Sequence, residues 1–538
     1  MAGIFDTPPT ESVSRALQAT IQERLDRLDD AALRAYLADG VYRERRRFAE
    51  DRDKLTEEDR AEQQAVEEAA RATRGDRAAM EGAILRLVDR YAAEIHNRFS
   101  TRTHSVATGV LPGALTRLLT AAHPAHLLGQ DFDPASRISV SGDLDRIRRL
   151  AADHTLILAP THLSNLDSPI LGYALHLAGL PPFIYGAGLN LFGNKLMGFF
   201  MSRLGAYTVD RRKGHALYKD TLKAYSVDAL GRRCHSLFFP GGTRSRSGVV
   251  ERSVKKGLLG TGIVAWQQGL RAGRPKPEIL VVPCTLSFAL VLEAETLIED
   301  ALKAVGKSRY IISDDEFSQP RTVASFARQV LNLDASAHVH LGAPLDLLGN
   351  PVDDAGRTLD PSGDPVDRRR YVTDADGAVV WDPQRDRVYT EHLAESLVDA
   401  WHRDTVALAT HVAAFAAWEQ LSRRHPGRDT WQLVFLGPDE RQLSRADLLF
   451  AIEQVLEEID RLAGAGRIRA ALPEPSGPHG RAGAVLDLAL DRFARFHTRR
   501  TLSARGATIH VDPRLALYYG NRLRDFGLED AARRTPAA

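Results

Sequence analysis

Cysteine is nearly absent: Cys234 and Cys284 are the only two in 538 residues, too few and too far apart for a disulfide scaffold or a structural zinc site. The expected setting is therefore reducing and cytoplasmic. No stretch reaches the ~18 uninterrupted apolar residues of a spanning helix, and the opening MAGIFDTPPTESVSRALQ lacks a charged segment followed by an apolar one. Neither a membrane span nor a secretory signal is expected. An excess of one charge is missing too. Lys+Arg 71 against Asp+Glu 70 leaves +1, without the bulk basic field of a dedicated nucleic-acid binder, so any anion site must be local. GxSxG, HExxH, GxxxxGK[ST] and CxxC do not occur, which removes the usual anchors of serine hydrolases, zincins and P-loop enzymes.

What is there is material for a large core, with 44% hydrophobic and 26% charged residues. Residues 1–106 are rich in Ala, Leu, Arg and Glu, and from Ile84 to Ile95 apolar residues recur at helical spacing. This predicts a helical region whose mixed-charge run ERRRFAEDRDKLTEEDRAEQ is a solvated face. Residues 107–345 alternate short β-branched or aromatic runs with helical stretches. Strands are predicted at 155–161, 182–187, 206–209, 235–240, 278–288 and 338–342. Helices are predicted near 166–178, 191–204, 214–229, 253–268 and 294–304. The pattern implies an α/β fold, a mostly parallel sheet flanked by helices. Residues 346–387 are dense in Asp, Gly, Pro and Arg and read as turns or a small hairpin in an insert or linker. Residues 388–538 read as mainly amphipathic helices. No internal repeat is read anywhere in the chain.

A histidine followed five positions on by an aspartate can form a general base, because the carboxylate holds one imidazole nitrogen and leaves the other free to take a proton. Three such pairs occur: His126 with Asp131, His162 with Asp167, and His215 with Asp220. Only His162 directly follows a predicted strand, with Asp167 in the first turn of the next helix and Ser164 or Asn165 as its N-cap. That is the carboxyl end of a strand, where open α/β sheets place their sites. His126 and Asp131 span a turn, and His215 and Asp220 belong to a charged amphipathic helix; both are read as structural. FFPGGTRSRSG (238–248) leaves a strand through glycines that let a ligand approach, then offers Arg244 and Arg246 to hold phosphate oxygens. GAYTVDRRKG (205–214) ends another strand in Arg211, Arg212 and Lys213. Ahead of it, YGAGLNLFGNKLMGFF (185–200) carries Lys195 as its only charge, and Phe192, Leu196, Phe199 and Phe200 offer an apolar patch for an acyl chain or bilayer surface. GTGIVA at 260–265 has dinucleotide-site spacing but follows a basic helical stretch instead of a strand.

THLSNLD, then GAGLNL through GAYTVDRR, then FFPGGTRSRSG, then ILVVPCTLSF resemble, in order, the four sequence blocks of the glycerophospholipid acyltransferases. Within them the chain looks most like the glycerol-3-phosphate acyltransferases, and HRDTVALATHVAAFA and LYYGNRL are similar to C-terminal stretches of the larger members. The resemblance implies an acyltransferase-like fold. It implies transfer of an acyl group from acyl-CoA or acyl-carrier protein to the sn-1 hydroxyl of glycerol 3-phosphate, without a metal or cofactor. It further implies His162 and Asp167 as the catalytic pair, and Arg211, Arg244, Arg246 and Lys195 on the phosphate. Gly242, Thr243 and Pro283 would lie along the acyl or thioester pocket, and peripheral contact with the inner face of the cell membrane is expected. Most members carry an acidic residue where this chain has Gly241, which puts a role for an acidic group at that position in doubt. Lysophosphatidate or dihydroxyacetone phosphate as acceptor, and a non-catalytic lipid- or partner-binding role, are the competing readings.

Overall fold

The computed structural model describes residues 8–52, 55–96, 99, 138–189, 205–306, 337–494, 497 and 499–535. His126, Asp131, Lys195, the aromatic stretch from Phe192 to Phe200 and the helix predicted at 191–204 lie outside the described residues.

Four helices open the chain: α1 (Thr10–Leu25), α2 (Asp30–Glu50), α3 (Glu57–Ala72) and α4 (Arg77–Ile95). Asp29, Thr56 and Asp76 start the last three by accepting the N–H groups of Ala32, Asp59 and Ala79. The apolar spacing buries Val13, Leu17, Ile21 and Leu25 with Ile84, Leu87, Val88 and Tyr91. The mixed-charge run is only partly solvated. Arg45, Arg46 and Glu50 are exposed as expected, but Glu44, Arg47 and Glu62 are buried. Arg47 bridges Glu44, Asp59 and Glu62, because three carboxylates around one guanidinium fork satisfy charges that packing has removed from water.

The central sheet has the order β1-β7-β6-β2-β5-β3-β4, built from β1 (Ile138–Gly142), β2 (Thr155–Pro160), β3 (Ile184–Gly188), β4 (Ala206–Val209), β5 (Ser236–Leu237), β6 (Ile279–Phe288) and β7 (Ala337–Leu341). Every pairing is parallel except β6 with β7. Each residue of β2 and β6 is buried, as expected for near-continuous apolar runs covered on both faces. Helices α5 (Leu144–Asp153), α6 (Asp167–Leu177), α7 (Ala216–Gly231), α8 (Thr261–Arg271) and α9 (Ala294–Gly306) accompany it. The sequence reading missed β1, a short polar edge strand, and overextended β5, where only Ser236 and Leu237 pair. The helix expected at 253–268 is split at Gly260, and GTGIVA lies at and inside the start of α8, so no phosphate-cradling turn follows a strand there.

Two further cores meet this sheet. The N-terminal bundle shares its core with Tyr207, Leu217, Tyr218 and Tyr225 of β4 and α7. On the other side, α10 (Pro383–Arg403), α11 (Ala409–Arg424), α12 (Arg445–Gly464), α13 (Gly480–Phe493) and α14 (Pro513–Gly520) follow. Helix α11 is buried continuously from Ala409 to Leu421 and shares a core with β2, β6 and β7. A small antiparallel sheet of Gln442–Ser444, Leu502–Arg505 and Thr508–Val511 adds strand where only helix was expected.

Residues 346–380 overturn the expectation that no repeat exists. Asp346, Asp353, Asp360, Asp367 and Asp374 recur every seven residues. At four of them one carboxylate oxygen accepts the N–H groups two and four positions on. Each of those four has glycine three positions on, at φ between 77° and 91°. Bridges Leu345–Pro351, Val352–Thr358, Leu359–Pro365 and Thr373–Val379 connect the rungs into a narrow antiparallel meander. At Asp367 the glycine is replaced by Arg370, and the unit becomes a 3-10 turn instead.

The bundle grips the loop after β4. Lys213, buried, pairs with Glu62 and Glu94, and His215, read as structural, caps α7 and holds Glu44 at 2.8 Å. Asp220 instead bonds Tyr36. Replacing Lys213 with Met leaves Glu62 and Glu94 without their cation, so it should destabilise the chain by about 3 kcal/mol, measured by urea melts against wild type. Acid should act elsewhere. Burial pushes the His235 imidazole, which accepts the Leu156 N–H, down to about 4, and that of His411, bonded to the Phe288 carbonyl, down to about 3. Unfolded histidine titrates near ~6.5, so the unfolded chain binds these protons first. Stability should fall as pH drops from ~6.5 toward ~4, read as a declining melting temperature across that window.

Candidate active site

Strand β2 ends at Pro160 and the chain turns sharply through Thr161–Leu166 before α6 begins at Asp167. The Asp167 side chain is fully buried, and a single oxygen, Oδ2, accepts three donors: His162 Nδ1 at 2.7 Å, the Leu163 N–H at 2.6 Å and the Ser164 N–H at 3.0 Å. The carboxylate thus satisfies amides that a tight turn leaves without partners. Its bond to Nδ1 makes Nε2 the nitrogen that can accept a proton. Phe239 stacks on the imidazole with ring centroids 4.1 Å apart. The capping expected of Ser164 or Asn165 is not what starts α6. Ser164 Oγ accepts the Leu166 N–H and donates to Glu293 at 2.8 Å, and the Asn165 N–H donates to the same carboxylate at 2.9 Å.

The block after β5 docks directly on this turn. The Ser245 N–H donates to the His162 carbonyl at 2.8 Å. Gly242 adopts φ 77°, and a β-carbon there would lie 2.7 Å from Lys255 Nζ. Arg244 sits with Nη1 3.7 Å from Glu293 Oε1, the carboxylate that also holds Ser164 and Asn165. Arg246 and Thr243 are exposed. Residues of the C-terminal region close the block from outside. Asn521 Nδ2 donates to the Ser247 carbonyl at 2.8 Å, and Gly248 lies so close that a β-carbon would meet the Tyr518 carbonyl oxygen at 1.9 Å.

The structure brings together His162, Asp167, Gly242 and Arg244, with Arg246 on the same block. Arg211 stands on the same carboxyl edge of the sheet but beyond β4, three strands from β2, a lateral offset of roughly 14 Å at ordinary strand spacing. Its neighbours are committed, Arg212 to Asp210 and Asp51 and Lys213 to the bundle, whereas Arg211 is exposed. Pro283 is buried within β6 opposite Ala159, and its ring abuts Gly342 of the following strand's end.

Sequence reasoning missed four groups around the pair. Glu251 Oε1 accepts the His162 N–H at 2.7 Å. Glu293 binds the turn as described. Burial pushes both carboxyls above the usual range. Arg522, in the LYYGNRL stretch, is buried and donates from Nη2 to the Leu286 carbonyl at 2.7 Å. Lys255 lies across Gly242. An acid directly ending each of the apolar runs GVVE and LVLE was the available signal for the two glutamates.

Comparison with known sequences falls on the same part of the chain. A sequence model of the acyltransferase family matches residues 139–287, the stretch that holds the sheet from β1 to β6, the His162 turn and the arginine block. Residues 139–287 form an acyltransferase domain. The domain is similar to the glycerol-3-phosphate acyltransferase of Pasteurella multocida, 30% identical over 205 residues that cover 38% of this chain and 23% of the relative. The enzyme of the same name from Actinobacillus succinogenes is 32% identical over 167 residues, 31% of this chain and 20% of the relative. The one from Actinobacillus pleuropneumoniae serotype 5b is 34% identical over 154 residues, 28% and 18% respectively. The matched stretch thus spans less than a quarter of each relative's length. Within the acyltransferase domain, Asp167→Ala strands two backbone N–H groups and the imidazole. At about 1–3 kcal/mol per buried unpaired group it should lower the melting temperature by several degrees, whereas His162→Ala should leave it within about 2 °C, both read by calorimetry.

Proposed function

We propose that the chain transfers an acyl group from an acyl thioester, acyl-CoA or acyl-carrier protein, to the sn-1 hydroxyl of glycerol 3-phosphate. The observation that carries this reading is one arrangement: His162 is held through Nδ1 by buried Asp167 while its carbonyl is clasped by the Gly242–Arg246 block. A proton acceptor and a cationic anion holder therefore share one turn. The names of the similar enzymes support the acceptor.

In this mechanism His162 Nε2 takes the proton of the acceptor hydroxyl as its oxygen attacks the thioester carbonyl carbon. The new C–O bond forms, the C–S bond breaks, and the departing thiolate takes the proton back from the imidazolium. Asp167 keeps the ring in the productive tautomer and offsets its transient charge. Arg244, Arg246 and Lys255 hold the phosphate, with Arg211 at the outer rim, so the hydroxyl is delivered already oriented. The two substrates supply every atom of the reaction, and the proposed step requires no metal or prosthetic group. An acylated glycerol phosphate belongs in a bilayer, so we place the domain at a membrane surface through peripheral contact; among the described residues no helix is long and apolar enough to cross a membrane.

Purified protein supplied with radiolabelled acyl-CoA should acylate glycerol 3-phosphate, and His162→Ala should abolish turnover. Arg244→Ala should raise KM for glycerol 3-phosphate by about tenfold or more, the worth of one charge-assisted phosphate contact. Product from lysophosphatidate or dihydroxyacetone phosphate but none from glycerol 3-phosphate overturns the acceptor. No transfer from either CoA or carrier-protein donor to any acceptor overturns the enzymatic reading.

A further inference from the structure

The blocks that resemble the glycerophospholipid acyltransferases depart from them at Gly241, where most members are acidic. The structure puts a carboxylate against that position from another point in the chain. A β-carbon added to Gly241 would lie 3.3 Å from Glu251 Cγ and 3.4 Å from Glu251 Oε1, so the side chain of residue 251 occupies the space that a side chain at 241 would need. The same Oε1 accepts the His162 N–H at 2.7 Å. Oε2 is enclosed with no hydrogen-bond partner among the described residues, and the Nε and Nη1 of buried Arg522 are likewise unpartnered. Taking a carboxylate oxygen out of water is costly without a reason for its place, and here Oε1 goes to the amide of the residue read as the base. The loop that carries 241 and 251 is closed by the Lys255 N–H donating to the Pro240 carbonyl at 2.7 Å.

We infer that Glu251 supplies from downstream the acidic group that Gly241 lacks, and that it is a positioning residue fixing the main chain at His162 while Asp167 fixes its ring. Gly241 is then the counterpart: a β-carbon there already presses on Glu251, and a carboxylate-bearing side chain competes with it for the same space. This inference rests on His162 being the base of the proposed transfer.

The test is a transposition. Glu251→Ala should lower kcat by about 10- to 100-fold, the cost of one buried amide left unpaired at the reacting group, with KM for acyl-CoA within twofold. Gly241→Glu in the wild-type background should also lower kcat, because two carboxylates then crowd one space. The double variant Gly241→Glu/Glu251→Ala should recover at least a third of wild-type kcat. Glu251→Gln, which keeps an acceptor for the His162 N–H, should stay within about threefold of wild type, while Glu251→Asp, one methylene shorter, should fall with Glu251→Ala. Amide hydrogen exchange of the peptide spanning residues 158–166 reads the same bond without catalysis. Protection should drop in Glu251→Ala and return in the double variant.

Full kcat in Glu251→Ala, or a double variant no better than Glu251→Ala, overturns the inference. So does unchanged exchange in Glu251→Ala. Should Glu251→Ala not fold, the Gln and Asp variants decide by the same criterion: equal activities overturn it. Wild-type protein inactive with every donor and acceptor would refute the proposed transfer, and the exchange measurement would then decide the placement of Glu251 separately.

Discussion

One carboxylate oxygen organises this site. Asp167 Oδ2 takes the imidazole and two consecutive main-chain amides at once, so the strand-to-helix turn and the orientation of His162 form or fail together. The arrangement solves two problems of burial with one group. A sharp turn at the end of a fully buried strand leaves amides with no ladder to join, and a carboxylate without solvent needs donors. Glu251 and Glu293 repeat the solution on the flanking amides of His162 and Asn165. One buried and two half-buried acids therefore surround a single turn, and the cations near them, Arg244 and Arg522, come from the arginine block and from the far C-terminal segment. The C-terminal helices are thus part of how the turn is held, although they lie outside the matched acyltransferase domain.

The N-terminal bundle plays a comparable part at the other end of the same sheet edge. Buried ion pairs gain little over well-packed apolar side chains and are costly when broken. What the contacts of Lys213 with Glu62 and Glu94, and of His215 with Glu44, provide is discrimination, because a bundle docked one helical turn away would leave each of these groups unpaired. The loop carrying Arg211 is held on both sides of that residue, by Asp210 and Arg212 before and after it and by Lys213 beyond, while Arg211 itself stays free to reach outward.

Much of this was legible in the sequence, and for identifiable reasons. Strands β2 and β6 were readable because burial on both faces demands unbroken apolar runs, and His162 stood out from two decoy pairs because it alone followed such a run. Strand β1 was not readable, since an edge strand of five residues with two serines carries no such demand. Glu44, Arg47 and Glu62 were misread as solvated because the charge pattern of a helix reports spacing, not what packs against it. The same limit hid Glu251 and Glu293: each acts on a residue 89 or more positions away, and no local pattern encodes that pairing. The seven-residue aspartate period escaped because apolar periodicity was what was read, whereas here a polar residue repeats in a stretch dense in Gly and Pro, and its glycine fails once, at Arg370.

That period has a consequence for how the chain can change. In the meander of 346–380 each turn carries its own aspartate, four of the five also carry a left-handed glycine, and the segments between turns are joined by single bridges or one two-residue pairing. The smallest self-sufficient piece is therefore seven residues long. Adding or deleting one such piece moves a complete turn with its clamp and reverses the direction in which the chain leaves, so two pieces return it to the same side of the ladder, whereas an increment that is not a multiple of seven separates an aspartate from the amides it holds. A change of length that preserves both the clamps and the exit direction therefore comes in steps of two turns, fourteen residues at a time.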